Sequence, residues 1–211
     1  MTSITPARHT GSSRVIYVSP LVRYLVVSVA FAGITHLLAA ITGLLSGDIL
    51  YSLQLLAWSV GYLSFSIIWL IYTRPSRSMR KEEAFVLVAL AWVLAPFFSA
   101  VPVSVSLHIP LVDSWFESIS GYTTTGLSVF SGGVDSFFHK YVPSVEQLPP
   151  SILWWRAYCQ WLGGFGIVVM FFVFARLGGL PAHLVGLAEG RYERLEPSIA
   201  KSLRALMLTY L

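Results

Sequence analysis

The sequence predicts an all-α integral membrane protein: two N-terminal transmembrane helices, then a helix–pore-loop–helix unit, then a connection and the start of a further helix. Three observations predict it. Of the 211 residues, 55% are hydrophobic and 11% charged, where soluble domains carry about 25% charged residues. The apolar residues gather in runs long enough to cross a bilayer, which takes roughly 20 residues. The basic residues fall between those runs and not along one face, which is a signal of membrane topology and not of a nucleic-acid surface. The bilayer is therefore an expected partner, and nucleic acid is not.

Residues 1–20 form a polar cytoplasmic leader with Arg8, Arg14 and Pro20, read as disordered or weakly helical. The first apolar run covers residues 21–45, with Arg23 near its start and His36 within it. Ala30-Phe-Ala32 resembles a signal-peptide cleavage site, but the run continues well past it, so an uncleaved span is expected. His36 is either a functional intramembrane group or, as expected here, one bonded to a neighbouring helix. Ser46-Gly-Asp48 is a tight turn into a second run at residues 49–72, where Trp69 and Tyr72 suit an interface belt. Arg74, Arg77, Arg80 and Lys81 mark a basic cytoplasmic loop. Residues 21–83 thus form a helix pair with its loop.

Residues 84–176 form the repeat. Its outer span is 84–104, with Pro96 and Pro102 expected to kink or end it. A half-polar segment follows, then a polar stretch over 128–150. The inner span is 151–175. It opens with Trp154-Trp155-Arg156 at an interface and contains Gly163-Gly-Phe-Gly166, where glycines let helices approach closely. Residues 177–211 are expected to form a cytoplasmic connection and the start of a further amphipathic-to-apolar helix. With four spans, twelve of the fourteen Lys and Arg residues lie on one side. Both ends of the four-span region are then cytoplasmic and the 107–150 loop is external.

The half-polar segment is the centre of the sequence. Ser114 to Ser120 is about two helical turns, on the order of 10 Å, far short of a membrane core about 30 Å thick. Ser114 and Glu117 have capping-box spacing, and Gly121 suits a helix stop. Then come Tyr122, Thr123, Thr124, Thr125, Gly126 and Leu127. Such a strip can lie extended with carbonyls aimed at one axis, as in filters that replace an ion's hydration shell. The helix's negative end would favour a cation. An ordinary Ser/Thr-rich loop looks the same by composition. Asp113, Glu117, Asp135 and Glu146 would lie outside, where carboxylates can concentrate cations, Glu117 foremost; Asp135 and Glu146 read equally well as ordinary solvated loop charges.

Enzyme chemistry is not expected. There is no paired acid, base or nucleophile, no Walker loop or dinucleotide fingerprint, and the five histidines show no ligand spacing. Cys159, the single cysteine, reads as a small buried apolar residue.

Phe116-Glu-Ser-Ile-Ser-Gly-Tyr-Thr-Thr-Thr-Gly126 and Leu153-Trp-Trp-Arg-Ala-Tyr-Cys-Gln-Trp-Leu-Gly-Gly-Phe-Gly-Ile167 together resemble the first pore repeat of the Trk/Ktr/HKT cation transporters, TrkH-type potassium uptake proteins above all. The stretch from Leu195 to Leu211 is similar to the start of a second repeat, and the pair before Ala84 to the TrkH branch's extra helices. The resemblance implies four such repeats around one pore, a homodimer, and cytosolic nucleotide-binding regulatory subunits of the TrkA type. It implies a multi-pass plasma-membrane location. Potassium would be the transported ion, with no cofactor in this chain. It places Thr123, Thr124, Thr125, Gly126 and Leu127 at the filter, with potassium on the backbone carbonyls of Thr124, Thr125 and Gly126. Glu117, Gly121, Gly163, Gly164 and Gly166 would support the pore and inner helices. The expected function is potassium uptake, this chain supplying one of four pore repeats. A subunit of a tetrameric cation channel and a non-conducting membrane scaffold are the alternatives. One repeat alone is expected to give no flux, and the chain is expected to be a fragment.

Overall fold

A computed structural model describes residues 15–177. The first fourteen residues of the leader, and the connection and second-repeat start over 178–211, lie outside the described residues. Five α-helices account for most of the described chain: α1 Pro20–Leu45, α2 Ile49–Tyr72, α3 Lys81–Leu107, α4 Leu111–Tyr122 and α5 Pro150–Leu177. Two short strand pairs accompany them. β1 (Ile16–Val18) pairs in parallel with β2 (Thr73–Pro75), and β3 (Ser131–Val134) pairs antiparallel with β4 (Tyr141–Ser144). By length and composition α1, α2 and α3 are each able to cross a membrane. At 28 residues, α5 rises about 42 Å, also enough for a crossing.

Helix α1 is the central post, packed by α2, α3 and α5. Ala32, Ala39 and Ala40 on it have no exposed surface, since small side chains let neighbours come close. Ser19 caps its N-terminus and Pro20 opens it, an arrangement suited to proline's fixed φ. A turn with Gly47 at φ 85° leads to Asp48, whose carboxylate caps α2 by accepting from the Tyr51 N–H at 3.3 Å. Along α2, Ser52, Leu55, Ser59 and Ser66 are buried at helical spacing, while Leu53, Val60, Phe65 and Ile67 face outward. A small, polar inner stripe and an apolar outer one suit a helix with lipid on its far side.

Expectation and structure part company at three places. The leader is not wholly irregular: Ile16 registers with Thr73 and Val18 with Pro75, because the start of α1 and the end of α2 lie side by side. Arg23 holds that corner. Buried to 9% exposure, it donates to the Thr73 carbonyl, to Thr73 Oγ1 at 3.0 Å and to the Leu70 carbonyl at 3.3 Å. These lie at the C-terminus of α2, where a cation meets the negative end of the helix dipole. Helix α3 starts earlier than residue 84 and runs through both prolines to Leu107. Pro102 lacks the N–H that would bond the Phe98 carbonyl, but the Tyr62 hydroxyl donates to that carbonyl at 3.0 Å. A neighbour's donor thus satisfies the freed group, as low-dielectric surroundings require. The helix ends instead at His108, in the left-handed conformation at φ 56°.

Candidate functional site

Helix α4 begins directly after Pro110, three residues before Ser114, and is 12 residues long. That is about 18 Å, too short to cross a bilayer core of about 30 Å. The Ser114–Glu117 capping box is not formed. Ser114 sits one turn inside the helix, its hydroxyl buried without a partner among the described residues, and the Glu117 carboxylate is used elsewhere. Nor does Gly121 end the helix. The reversal comes at Thr124, whose φ is 57°. The Thr125 N–H reaches back to the Ser120 carbonyl at 2.9 Å and the Thr124 N–H to the Gly121 carbonyl at 2.9 Å. This is a Schellman-like closure with threonine in the place usual for glycine. A β-branched residue at positive φ is strained. Thr123 Oγ1 steadies the turn, donating to the Ile119 carbonyl at 2.8 Å and lying 2.8 Å from Thr125 Oγ1.

Gly121 serves packing instead. A Cβ there would lie 2.8 Å from the Cys159 Cβ on α5. Gly163 admits a closer approach still: a Cβ would lie 2.6 Å from the Tyr122 carbonyl carbon and 2.7 Å from its Cα. The end of α4 therefore rests directly on the backbone of α5. Gly166 has only ordinary room, with Trp92 at 3.9 Å, and Gly164 is half-buried. On the other side the Tyr122 hydroxyl is 2.7 Å from Thr35 Oγ1, tying α4 to α1.

Thr123, Thr124, Thr125, Gly126 and Leu127 form an exposed strip without regular structure. Two alternate residues, Thr124 at φ 57° and Gly126 at φ 79°, are left-handed. Among the described residues, no hydrogen bond reaches the carbonyls of Thr123, Thr124, Thr125 or Gly126. Leu127 differs, since its carbonyl accepts from Ser120 Oγ at 2.6 Å. The consecutive run of open carbonyls along the strip is thus interrupted at Leu127. A Cβ on Gly126 would meet nothing within 4 Å. Its backbone twist, and not crowding by this chain, is what calls for glycine.

Glu117 is not an open carboxylate facing outer solution. Its side chain is 3% exposed and its Oε1 is 2.6 Å from Arg156 Nε. Oε2 accepts from Ser128 Oγ and from the Val129 N–H, each at 3.0 Å. Arg156 also lies over the Phe130 ring, 5.5 Å from its centroid. Sequence reasoning named Glu117 and passed over Arg156 as an interface residue. Trp155 does not reach the protein surface: it is fully buried, donating from Nε1 to Ser99 Oγ at 2.9 Å. His36, also fully buried, lies parallel to the Trp155 ring at 6.5 Å. Cys159 is free and buried. Asp135 folds the hairpin tip, accepting from the Phe137 N–H at 3.0 Å and from the Phe138 N–H. Partial burial and then the Asp135 charge hold the Asp113 carboxyl above its ordinary pKa. At the N-terminal end of α5, Asp48 accepts from Ser151 Oγ at 2.5 Å, joining the first helix pair to the repeat.

Long apolar helices around a short helix and an open-carbonyl strip define a multi-pass α-helical membrane protein. Residues 67–211 match the family TrkH, described as cation transport protein. The chain belongs to that family. It is 34% identical over 152 residues to an uncharacterized cation transporter of Methanocaldococcus jannaschii, covering 71% of this chain and 30% of the relative. It is 30% identical over 151 residues to the Trk system potassium uptake protein TrkH of Salmonella typhimurium, covering 69% of this chain and 29% of the relative. To the Trk system potassium uptake protein TrkG of Escherichia coli it is 26% identical over 148 residues, with 67% and 28% covered. The matched part is thus under a third of each of these relatives' lengths. No solved structure matches the chain.

Proposed function

We propose that residues 123–126 form one wall of a cation-selective filter, and that the chain supplies one of four pore repeats to a potassium uptake protein of the plasma membrane. The observation carrying this is the backbone of the strip. Left-handed residues at Thr124 and Gly126 break the regular turn of α4 and leave consecutive carbonyls unbonded among the described residues. Open carbonyls are what a dehydrating potassium ion requires. The ion would rest on the carbonyls of Thr124, Thr125 and Gly126. α4 would enter the membrane partway, with its negative end toward the ion.

In this reading α5 is the fourth span, both ends of the four-span region are cytoplasmic, and the β3–β4 hairpin is external. One strip supplies only part of the oxygens a bare ion needs. The partners are therefore the remaining repeats, with a homodimer and TrkA-type nucleotide-binding subunits following from the family likeness. The test is rubidium uptake by the intact protein, with sodium as competitor, for Gly126→Ala and Gly126→Ser. An L-residue held left-handed costs about 1–2 kcal/mol, so both variants are expected to lose discrimination against sodium. Unchanged uptake and unchanged sodium exclusion in both would overturn the reading.

A further inference from the structure

We infer that Glu117 and Arg156 form a positioning pair that sets ion selectivity, by fixing the chain just beyond the filter strip to both α4 and α5. This rests on the filter reading above. Both Glu117 oxygens are committed. Oε1 takes the Arg156 Nε–H from α5 at 2.6 Å, and Oε2 takes the Ser128 hydroxyl and the Val129 N–H, each at 3.0 Å. Ser128 Oγ in turn accepts from the Phe130 N–H at 3.2 Å, and Arg156 lies over the Phe130 ring. The segment leaving Gly126 is thereby held by one carboxylate, itself held by one guanidinium on the next helix. Any tilt of α5 near Arg156 is passed to the strip's outer end through two charge-assisted links, the stronger kind of hydrogen bond.

A merely structural ion pair between helices would need only opposite charges. This one needs a two-sided acceptor at residue 117. Glutamine has the same shape but only one acceptor oxygen. Glu117→Gln must therefore turn its NH2 toward either Arg156 or the Ser128–Val129 donors. Exchanging the pair, Glu117→Arg with Arg156→Glu, restores opposite charges but leaves nothing at 117 to accept from Val129.

The test is rubidium uptake by the intact protein, measured as KM, maximal rate and sodium inhibition, beside its thermal stability. Glu117→Gln is expected to weaken discrimination against sodium about tenfold, the equivalent of one hydrogen bond at 1.4 kcal/mol. The exchanged double variant is expected to recover stability without recovering selectivity. Ser128→Ala, at an exposed position, carries the test should Glu117→Gln fail to accumulate, with a smaller loss of selectivity expected. Recovery of selectivity by the exchanged pair, unchanged selectivity in Glu117→Gln, or, where Glu117→Gln does not accumulate, unchanged selectivity in Ser128→Ala, would overturn the inference. Gly126→Ser in the same assay separates the two claims. If it shifts selectivity while the Glu117 and Ser128 variants do not, the positioning role alone is wrong. If it also shifts nothing, the filter reading falls and the inference with it.

Discussion

Replacing Gly163 by alanine adds one methyl group where the structure leaves no space. The new Cβ would sit 2.6 Å from the Tyr122 carbonyl carbon, about 0.8 Å inside ordinary 3.4 Å contact, and closer still to the oxygen. All three nearest atoms are backbone, so no side chain can swing aside. Either α5 or the end of α4 must move by most of an ångström. Tyr122 is held from the other side by its 2.7 Å link to Thr35, so α4 cannot retreat without losing that bond. Overpacking costs typically 1–3 kcal/mol, and a backbone clash belongs at the top of that range. A loss of ~3 kcal/mol corresponds to a fall in Tm of at least about 6 °C for chains of 150–250 residues. Gly121→Ala is the control. Its clash, at 2.8 Å, is with the Cys159 side chain, so pairing it with Cys159→Gly should relieve the contact, whereas no side-chain truncation should rescue Gly163→Ala. Thermal unfolding in detergent, followed with rubidium uptake, checks both. A Gly163→Ala protein with wild-type Tm and uptake would refute the close approach of α5 to Tyr122.

Tyr62→Phe removes the donor to the Phe98 carbonyl, leaving the acceptor freed by Pro102 unsatisfied; a loss of about 1–3 kcal/mol is expected in thermal unfolding, and Tyr62→Phe with Pro102→Ala should recover part of it. Cysteines placed at the exposed Ser136 and Ser78 are expected to react with an impermeant thiol reagent from outside and inside respectively. Native Cys159 is 1% exposed and adds little background, so labelling of Ser78→Cys from outside would reverse the topology.

The apolar runs and the basic loops between them were legible in the sequence because lipid imposes length and charge rules that act locally along the chain. The first two helices were located almost to the residue for that reason. The Thr-Thr-Thr-Gly strip was legible too, since β-branched residues followed by glycine resist continuing a helix. What the tertiary structure decided were the partners of polar groups. Nothing local in the chain says that Tyr62 serves the carbonyl freed by Pro102, or that Arg23 closes α2. Nothing local says that Glu117 faces Arg156, 39 residues away, and not the outer solution. A buried polar group must find a partner, and which one it finds depends on how the helices cross. The same holds for glycine. Sequence placed the helix stop at Gly121, whereas the fold put the reversal at Thr124 and used Gly121 and Gly163 to bring α5 against α4. A missing side chain serves conformation or contact equally well, and only the neighbouring helix determines which.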